Sequence, residues 1–187
     1  MNEQKSLEII TGMIEQAKGN IGSNSIYYLL WGWLGLAASM GQYILMQIDF
    51  THHYLPWAIL MPIGGIIASV VGVRQSKKGA TSYTDRVMGY LWGAFVITLL
   101  IVLSGSVKMS WHVSYSMMIA LVGLATFVSG GVLRFTPLKI GGWLAWALTG
   151  LALYTNIEIS VLCIAAAMVV SYLIPGYLLK KKYAQKA

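Results

Sequence analysis

The charged residues of this chain are gathered into short stretches, and the intervals between those stretches contain no Asp, Glu, Lys or Arg. Six long intervals of this kind, with 30, 24, 21, 25, 18 and 21 residues, cover residues 19–48, 50–73, 87–107, 109–133, 140–157 and 159–179. A helix rises about 1.5 Å per residue, so about 20 residues cross the ~30 Å hydrocarbon core of a bilayer. Each interval therefore predicts one membrane-spanning helix.

The composition and the pattern within these intervals favour helices in a membrane. Charged residues make up 10% of the chain, whereas a soluble domain has about 25%. Strands of a membrane β-barrel alternate apolar and polar side chains, but residues 96–103 are apolar nearly throughout. The prediction is an all-α, polytopic membrane helix bundle. Its six transmembrane helices are predicted at residues 25–48, 57–73, 87–104, 114–133, 140–156 and 159–179, with a turn at 155–158.

The basic residues predict the orientation of the chain. Of 13 Lys and Arg residues, 12 lie in the termini and alternate connections, and Lys108 alone lies in the other connections. Cytoplasmic segments of membrane proteins carry the excess of Lys and Arg, so both termini are predicted to be cytoplasmic. The inner segments are predicted to be 1–24, 74–86, 134–139 and 180–187, and the outer ones 49–56, 105–113 and 155–158. The net charge of +7 is then explained by topology and anionic headgroups, and no nucleic-acid binding is predicted.

Three regions are expected: residues 1–24 as an amphipathic N-terminal helix, 25–179 as the six-span bundle, and 180–187 as a basic cytoplasmic tail. Six apolar residues of the first region share one helical face: Leu7, Ile10, Met13, Ile14, Ala17 and Ile21. Ser6 is a candidate N-cap, and Gly19-Asn20 is a candidate end for this helix. The helix lies on the lipid surface, or it docks on the bundle, a second copy or another protein.

The three predicted helix hairpins look alike, because Trp31, Trp92 and Trp143 each lie near the start of a hairpin. A tandem repeat of two-helix units is one interpretation, and the aromatic belts common to membrane proteins are the other. Small residues also recur at a spacing of four, which lets helices approach closely. They are Ala37 and Gly41, then Gly64, Ala68 and Gly72, then Gly89 and Gly93, and packing within the bundle is expected, with homodimer contacts as the alternative.

The predicted spans contain no charge or histidine near their middles, which argues against proton-coupled transport. Their deepest polar side chains, expected to hydrogen-bond between helices, are Ser39, Gln42, Thr98, Thr126, Ser129, Thr149 and Ser171. His52, His53 and His112 fall in predicted outer connections, where an ordinary polar loop is a better interpretation than a metal site. No catalytic, cofactor-binding or metal-binding residue is therefore assigned, and an enzyme is not predicted.

Aromatic side chains gather at both predicted membrane surfaces. The outer set is Tyr43, Tyr54, Trp57, Trp111 and Tyr115, and the inner set is Trp31, Trp92, Trp143 and Trp146. Such residues line pockets for small ligands, and they also anchor helices at the lipid interface. The interface is the preferred interpretation.

Two segments, residues 6–14 (SLEIITGMI) and 29–33 (LLWGW), resemble a family of small bacterial membrane proteins that have an amphipathic N-terminal helix and several spans. The resemblance covers roughly the first 45 residues, and neither segment is chemically specific. It implies the same topology, in a bacterial inner membrane, and brings no known activity or site residues.

The preferred hypothesis is a non-catalytic membrane subunit, with a regulatory or scaffolding role, that engages a protein partner or a second copy through its cytoplasmic face. The alternative is a solute-binding transport component. The substrate-binding subunits of energy-coupling-factor transporters are similar in size and span number, and they too lack ion-coupling charges. However, the outer connections predicted here are short, and a closed cavity near the outer face would be needed to favour that alternative.

Overall fold

The computed structural model describes the backbone of residues 3–76 and 83–184 and the side chains of residues 25–74 and 83–182. Within these ranges the chain is helical, with no strand. The helices are α1 (Glu3–Gln47), α2 (Leu55–Ser76), α3 (Tyr83–Gly105), α4 (Trp111–Val132), α5 (Thr136–Leu153), α6 (Ile157–Met168) and α7 (Ile174–Ala184). A π-helical turn, Val169–Leu173, joins α6 directly to α7. The predictions for Lys77, Lys78, Lys186 and the side chains of residues 1–24 lie outside the described residues.

The first helix is longer than the sequence predicts. It runs for 45 residues from Glu3 to Gln47 without interruption, so the predicted N-cap at Ser6 and the predicted end at Gly19-Asn20 are both wrong. A glycine within a helix costs only about 1 kcal/mol relative to alanine, and the helix-forming residues on both sides outweigh that preference. The N-terminal segment and the first apolar segment therefore form one helix.

Five segments are long and apolar enough to cross a membrane: Ser25–Gln47, Leu55–Arg74, Tyr83–Gly105, Trp111–Val132 and Ile157–Lys182. They confirm the helical, membrane-like character predicted from the uncharged intervals. The α5 helix is outside this set, since it has 18 residues and begins with the polar turn Thr136–Lys139. The described chain thus has one more long helix than it has clear candidate spans.

Local capping explains why the helices end where they do. Asp49 and Arg134 have positive φ angles of 54° and 48°, and each stands just beyond a helix end in a Schellman motif. After α1, Phe50 N–H donates to the Leu45 carbonyl at 3.0 Å. The predicted turn at 155–158 is confirmed, because the Asn156 side chain accepts the Ile159 N–H at 3.1 Å and starts α6.

The bundle has a packed centre and two peripheral helices. The rod formed by α6, the π-helical turn and α7 contacts α1, α4 and α5, whereas α2 packs chiefly on α1 and α3 on α4. Only 6% of the apolar segment is buried in α2 and in α3, compared with 50% in α4 and 56% in the α6–α7 rod. Most of the outward surface of α2 and α3 is thus left for lipid or another protein.

Glycines set the closest contacts between helices. A methyl group on Gly142 would lie 2.8 Å from the Gly123 carbonyl oxygen, so α4 and α5 pack backbone to backbone. The predicted packing role is confirmed for Gly64, where a Cβ would lie 2.6 Å from Leu34 of α1. It is wrong for Gly89 and Gly93, which have nothing within 4 Å of that position, because α3 turns this face outward.

The three tryptophans that suggested a repeat lie in different surroundings. Trp31 packs beside Gly64 of α2, Trp92 against Tyr28 of α1, and Trp143 against its neighbour on α5, Trp146. The tandem repeat stays a prediction without added support from these contacts.

Candidate functional site

Polar side chains are buried at two places between α1 and α4, and the first is organised around Gln42. Its carboxamide oxygen accepts the indole N–H of Trp57 at 2.7 Å, and its nitrogen donates to the Tyr115 hydroxyl at 2.7 Å. The same nitrogen lies 3.3 Å from Nδ1 of His53. We call these four residues the Gln42 cluster; it joins α1, the α1–α2 connection, α2 and α4.

Every polar atom of the Gln42 side chain has a partner, although the residue has no exposed surface. The contact with His53 requires that Nδ1 carries no proton, because it must accept the amide N–H. A buried amide of this kind is favourable only when its donors and acceptors are satisfied. The Gln42 cluster therefore acts as a hydrogen-bonded link between helices.

The second place lies nearer the lysine-rich end, which we define by Lys180, Lys181 and Lys182. Here the rings of Tyr28, Trp92 and Tyr172 form a triangle with centroid separations of 6.2, 5.9 and 6.1 Å. Phe95 extends this group by an edge contact with Trp92 at 5.2 Å. The three rings bring together α1, α3 and the π-helical turn, and we call them the Tyr28 cluster.

Three buried hydroxyl groups have no hydrogen-bond partner in the described part of the chain: that of Tyr28 and, one turn apart on α4, those of Thr126 and Ser129. Tyr28 and Ser129 interact across α1 and α4, but their hydroxyl groups do not meet hydrogen-bond geometry. An unsatisfied buried polar group destabilises a protein by about 1–3 kcal/mol. Buried hydroxyl groups without partners therefore lower the stability of this region, whereas every polar atom of Gln42 has a partner.

The two clusters mark the ends of one antiparallel seam. Tyr28 precedes Gln42 on α1, whereas their partners occur in the reverse order on α4, where Tyr115 precedes Ser129. The two positions on each helix are about four turns apart, which corresponds to ~21 Å of helix. Between these positions α1 packs mainly on α2 and on α6 and α7, and α4 mainly on α3 and α5. We therefore use the name α1–α4 seam for the side-chain contacts at its two ends.

Pro175 gives a physical reason for the π-helical turn beside the Tyr28 cluster. Proline has no N–H for the carbonyl four residues earlier, and its ring clashes with that carbonyl. In the described chain that carbonyl belongs to Ser171, within the turn Val169–Leu173. π-Helical turns are rare and are frequent at functional sites. The turn places Tyr172 in the aromatic triangle.

The predicted inter-helix role of the deep polar residues holds for only some of them. Gln42 bonds to Tyr115 of α4, and Ser171 donates to the Gly141 carbonyl of α5 at 3.0 Å. Ser39, Thr98 and Thr149 instead donate to the carbonyl four residues earlier on their own helices. That local bond satisfies a hydroxyl without a neighbouring helix. The hydroxyls of Thr126 and Ser129 follow neither pattern, since they have no hydrogen-bond partner among the described residues.

The predicted aromatic sets divide differently in the structure. Trp57, Tyr115 and Trp111 meet at the Gln42 cluster, where Trp111 lies 6.0 Å from the Tyr115 ring. Tyr54 packs against His52 and His53 of the connection and so touches the Gln42 cluster through His53. The inner tryptophans do not line one common pocket. Trp146 donates to the Ala120 carbonyl within the α4–α5 pair, whereas Trp92 packs against Tyr28 of α1.

The side chains along the seam can form hydrogen bonds and pack against apolar groups. It offers one amide, phenol and aliphatic hydroxyl groups, indole rings and a histidine at one end. Within the described residues no group of three or more His, Cys, Asp or Glu side chains is placed to hold a metal ion. The single cysteine, Cys163, is buried in α6.

Comparisons with protein-family models, with curated proteins and with solved structures gave no match to this chain. The functional argument therefore depends on the residues and contacts described above.

Proposed function

We propose that the protein is a non-catalytic membrane subunit, anchored by its helix bundle, whose α1 helix extends into the cytoplasm and binds a protein partner. The observation that carries this proposal is the continuity of α1. Its apolar segment, Ser25–Gln47, has 23 residues, whereas the whole helix has 45. The N-terminal half adds ~30 Å of helix beyond the span.

A helix that lies flat on the bilayer must bend sharply before it enters the membrane as a span. Such kinks accompany proline, π-bulges or an interruption of the helical hydrogen bonds, and α1 is uninterrupted from Glu3 to Gln47. The charges also give little attraction to an anionic surface, because three Glu and two Lys precede residue 20. These points favour a projecting helix over one adsorbed on lipid.

The apolar face of the projecting half needs a cover. Leu7, Ile10, Ile14 and Ile21 recur at helical spacing, and an apolar stripe of this type pairs with another helix or fits an apolar groove. A protein partner would bury that stripe and so remove its apolar side chains from water.

The bundle itself is proposed to have six spans with both termini inside. Although α5 is outside the set of clear candidate spans, it is paired along its length with α4 and α6. Trp146 donates to Ala120 at 3.2 Å, and the side chain of Ser160 donates to Ala152 at 3.2 Å. A helix held on both sides in this way supports a full crossing, and the 12-to-1 division of basic residues supports the orientation.

The partner proposal is tested by affinity purification of the full chain from its native host in mild detergent. Ile14→Asp places a charge on the apolar face of α1. Gln16→Asp, two residues further and about 160° around the helix, places the same charge on the opposite face as a matched control. We expect Ile14→Asp to abolish recovery of a defined partner and Gln16→Asp to retain it.

Two results would contradict the partner proposal: purification of the wild-type protein alone at every detergent strength, or equal recovery by both variants. Mass measurement of the purified complex distinguishes a second copy of this chain from a different protein.

The topology is tested by cysteine labelling in a Cys163→Ala background, since the native cysteine is buried. Ser106 is a poor labelling position, because only 1% of its surface is exposed. Tyr83, the first residue of α3, is 81% exposed, and Val107, two residues beyond its last residue, is 86% exposed. An impermeant thiol reagent on intact spheroplasts should label Val107→Cys and spare Tyr83→Cys, and the reverse pattern would overturn the orientation.

A solute-binding role is the second candidate, because the unpartnered hydroxyls of Tyr28, Thr126 and Ser129 are polar atoms that a ligand could use. A ligand site near the outer face, where the sequence would place it, is less well supported. The polar atoms of Gln42 there already form hydrogen bonds with Trp57 and Tyr115. Thermal stabilisation of the purified protein by a vitamin or metabolite panel, lost in Ser129→Ala, would favour this candidate over the first.

A further inference from the structure

A shallow groove lies on the surface of the bundle along α1, with Lys180 of α7 at its edge. Its volume is about 430 Å³, and its lining consists of Ile26, Leu29, Leu30, Trp33, Leu34 and Lys180. The two helices touch on the neighbouring face, where a Cβ on Gly176 would lie 3.1 Å from Leu29. The groove is open along its side, so an elongated molecule can enter from the bilayer.

The lining changes from apolar to cationic along the groove. Ile26 and Leu34 both belong to the apolar segment of α1. About 12 Å of helix separates these two positions. Lys180 lies at the end where α7 becomes basic. An occupant must therefore have an apolar chain and an anionic group at one end.

A hydrogen bond beside the groove adds a polar contact at intermediate depth. The indole N–H of Trp33 donates to the Tyr177 hydroxyl at 3.1 Å, and both residues are about half exposed. Because this hydroxyl accepts the indole proton, its own proton is available to a further acceptor. The ester carbonyl and phosphate oxygens of a phospholipid are acceptors of this kind.

The three consecutive lysines of α7 are not equivalent. Lys180 lines the groove, while the Lys182 ammonium lies 5.3 Å from the centre of the Phe135 ring. Lys181 is exposed and is not part of the groove lining. The cation that faces a headgroup in this groove is therefore Lys180.

We infer that the α1–α7 groove binds one anionic phospholipid, with an acyl chain along Leu29, Leu30 and Trp33 and its phosphate at Lys180. This site is independent of the partner proposed for the N-terminal half of α1, because its lining begins at Ile26. It gives the lysine-rich end a specific ligand in addition to diffuse attraction for an acidic leaflet.

The test is native mass spectrometry of the full chain in detergent, with dioleoyl phosphatidylglycerol and dioleoyl phosphatidylcholine as probes. The wild-type protein should retain one phosphatidylglycerol in preference to phosphatidylcholine. Lys180→Gln should weaken phosphatidylglycerol binding about fivefold, the effect of one lysine near a membrane surface. Lys181→Gln removes the same charge outside the groove and should leave binding unchanged.

A second variant tests the apolar part of the site. Leu30→Trp fills the groove and should reduce retention of both lipids, with the circular dichroism spectrum confirming that the helices remain. Inorganic phosphate at millimolar concentration should not displace the lipid, since the acyl chain provides much of the contact.

Equal losses in Lys180→Gln and Lys181→Gln would overturn the site in favour of diffuse electrostatic attraction. Equal retention of the two lipids would overturn the requirement for an anionic headgroup, and displacement by phosphate would assign Lys180 to a free anion. Unchanged binding in Leu30→Trp would remove the groove as the place of contact.

Discussion

The two ends of the α1–α4 seam bury polar side chains in opposite ways. At the Gln42 cluster, one amide satisfies an indole and a phenol with two bonds of 2.7 Å. At the other end, the hydroxyls of Tyr28, Thr126 and Ser129 are buried and have no hydrogen-bond partner among the described residues. Satisfied polar networks fix a single packing, whereas unsatisfied groups weaken it. The comparison therefore predicts that hydrogen bonds stabilise the Gln42 end of the seam, whereas the Tyr28 end depends on ring packing.

The largest effect is expected from Gln42→Leu. This change leaves the Trp57 indole N–H and the Tyr115 hydroxyl without their partner, and it should lower the free energy of unfolding by about 2–3 kcal/mol. Reversible unfolding in mixed detergent micelles measures it. Gln47→Leu on the exposed end of α1 is the matched control, and equal destabilisation by both would remove the structural role of the cluster.

A smaller effect is expected from Trp57→Phe, which removes one donor and keeps an aromatic ring. The Gln42 carboxamide oxygen then loses its partner, so the free energy of unfolding should fall by about 1–2 kcal/mol. Trp111→Phe is the control, because its ring touches Tyr115 but no hydrogen bond to Gln42 is involved. If the two variants lose the same stability, aromatic packing rather than the hydrogen bond holds this end.

The smallest effect, with the opposite sign, is expected at the other end of the seam. Thr126→Val replaces an unsatisfied hydroxyl by a methyl group of similar volume, so the protein should become more stable by up to ~1 kcal/mol. Thr149→Val is the matched control, since that hydroxyl donates to the Ala145 carbonyl. A clear loss of stability in Thr126→Val would show that its hydroxyl has a partner, and the contrast between the two ends would fail.

The helical architecture could be predicted because charged side chains are unfavourable in a membrane core. The long intervals without charged residues therefore indicated the helices. The five apolar segments and the turn capped by Asn156 follow from this pattern. The continuity of α1 could not be predicted from local signals, because Gly19 and Asn20 weaken a helix without being sufficient to end it. Pro175 could have indicated an irregular turn between α6 and α7. Its position alone does not identify the residues that form the π-helical turn.

The seam itself was beyond sequence reasoning. Gln42 could be recognised as a deep polar residue, but its partner Tyr115 is 73 positions away, and no spacing rule connects them. The unsatisfied state of the Ser129 hydroxyl is equally invisible, since Ser39 in a similar apolar context bonds to its own helix. Such differences depend on which face of each helix the bundle covers.

The uninterrupted α1 helix also has a mechanical consequence. It begins at Glu3 and passes through both ends of the seam without a break. About 37 Å of helix lies between Glu3 and Tyr28, and about 21 Å more leads to Gln42. A continuous α-helix resists bending, so a tilt of the N-terminal tip would be carried along α1 to both clusters. Such a tilt would be opposed at Gln42 by hydrogen bonds to α2 and α4 and at Tyr28 by ring packing.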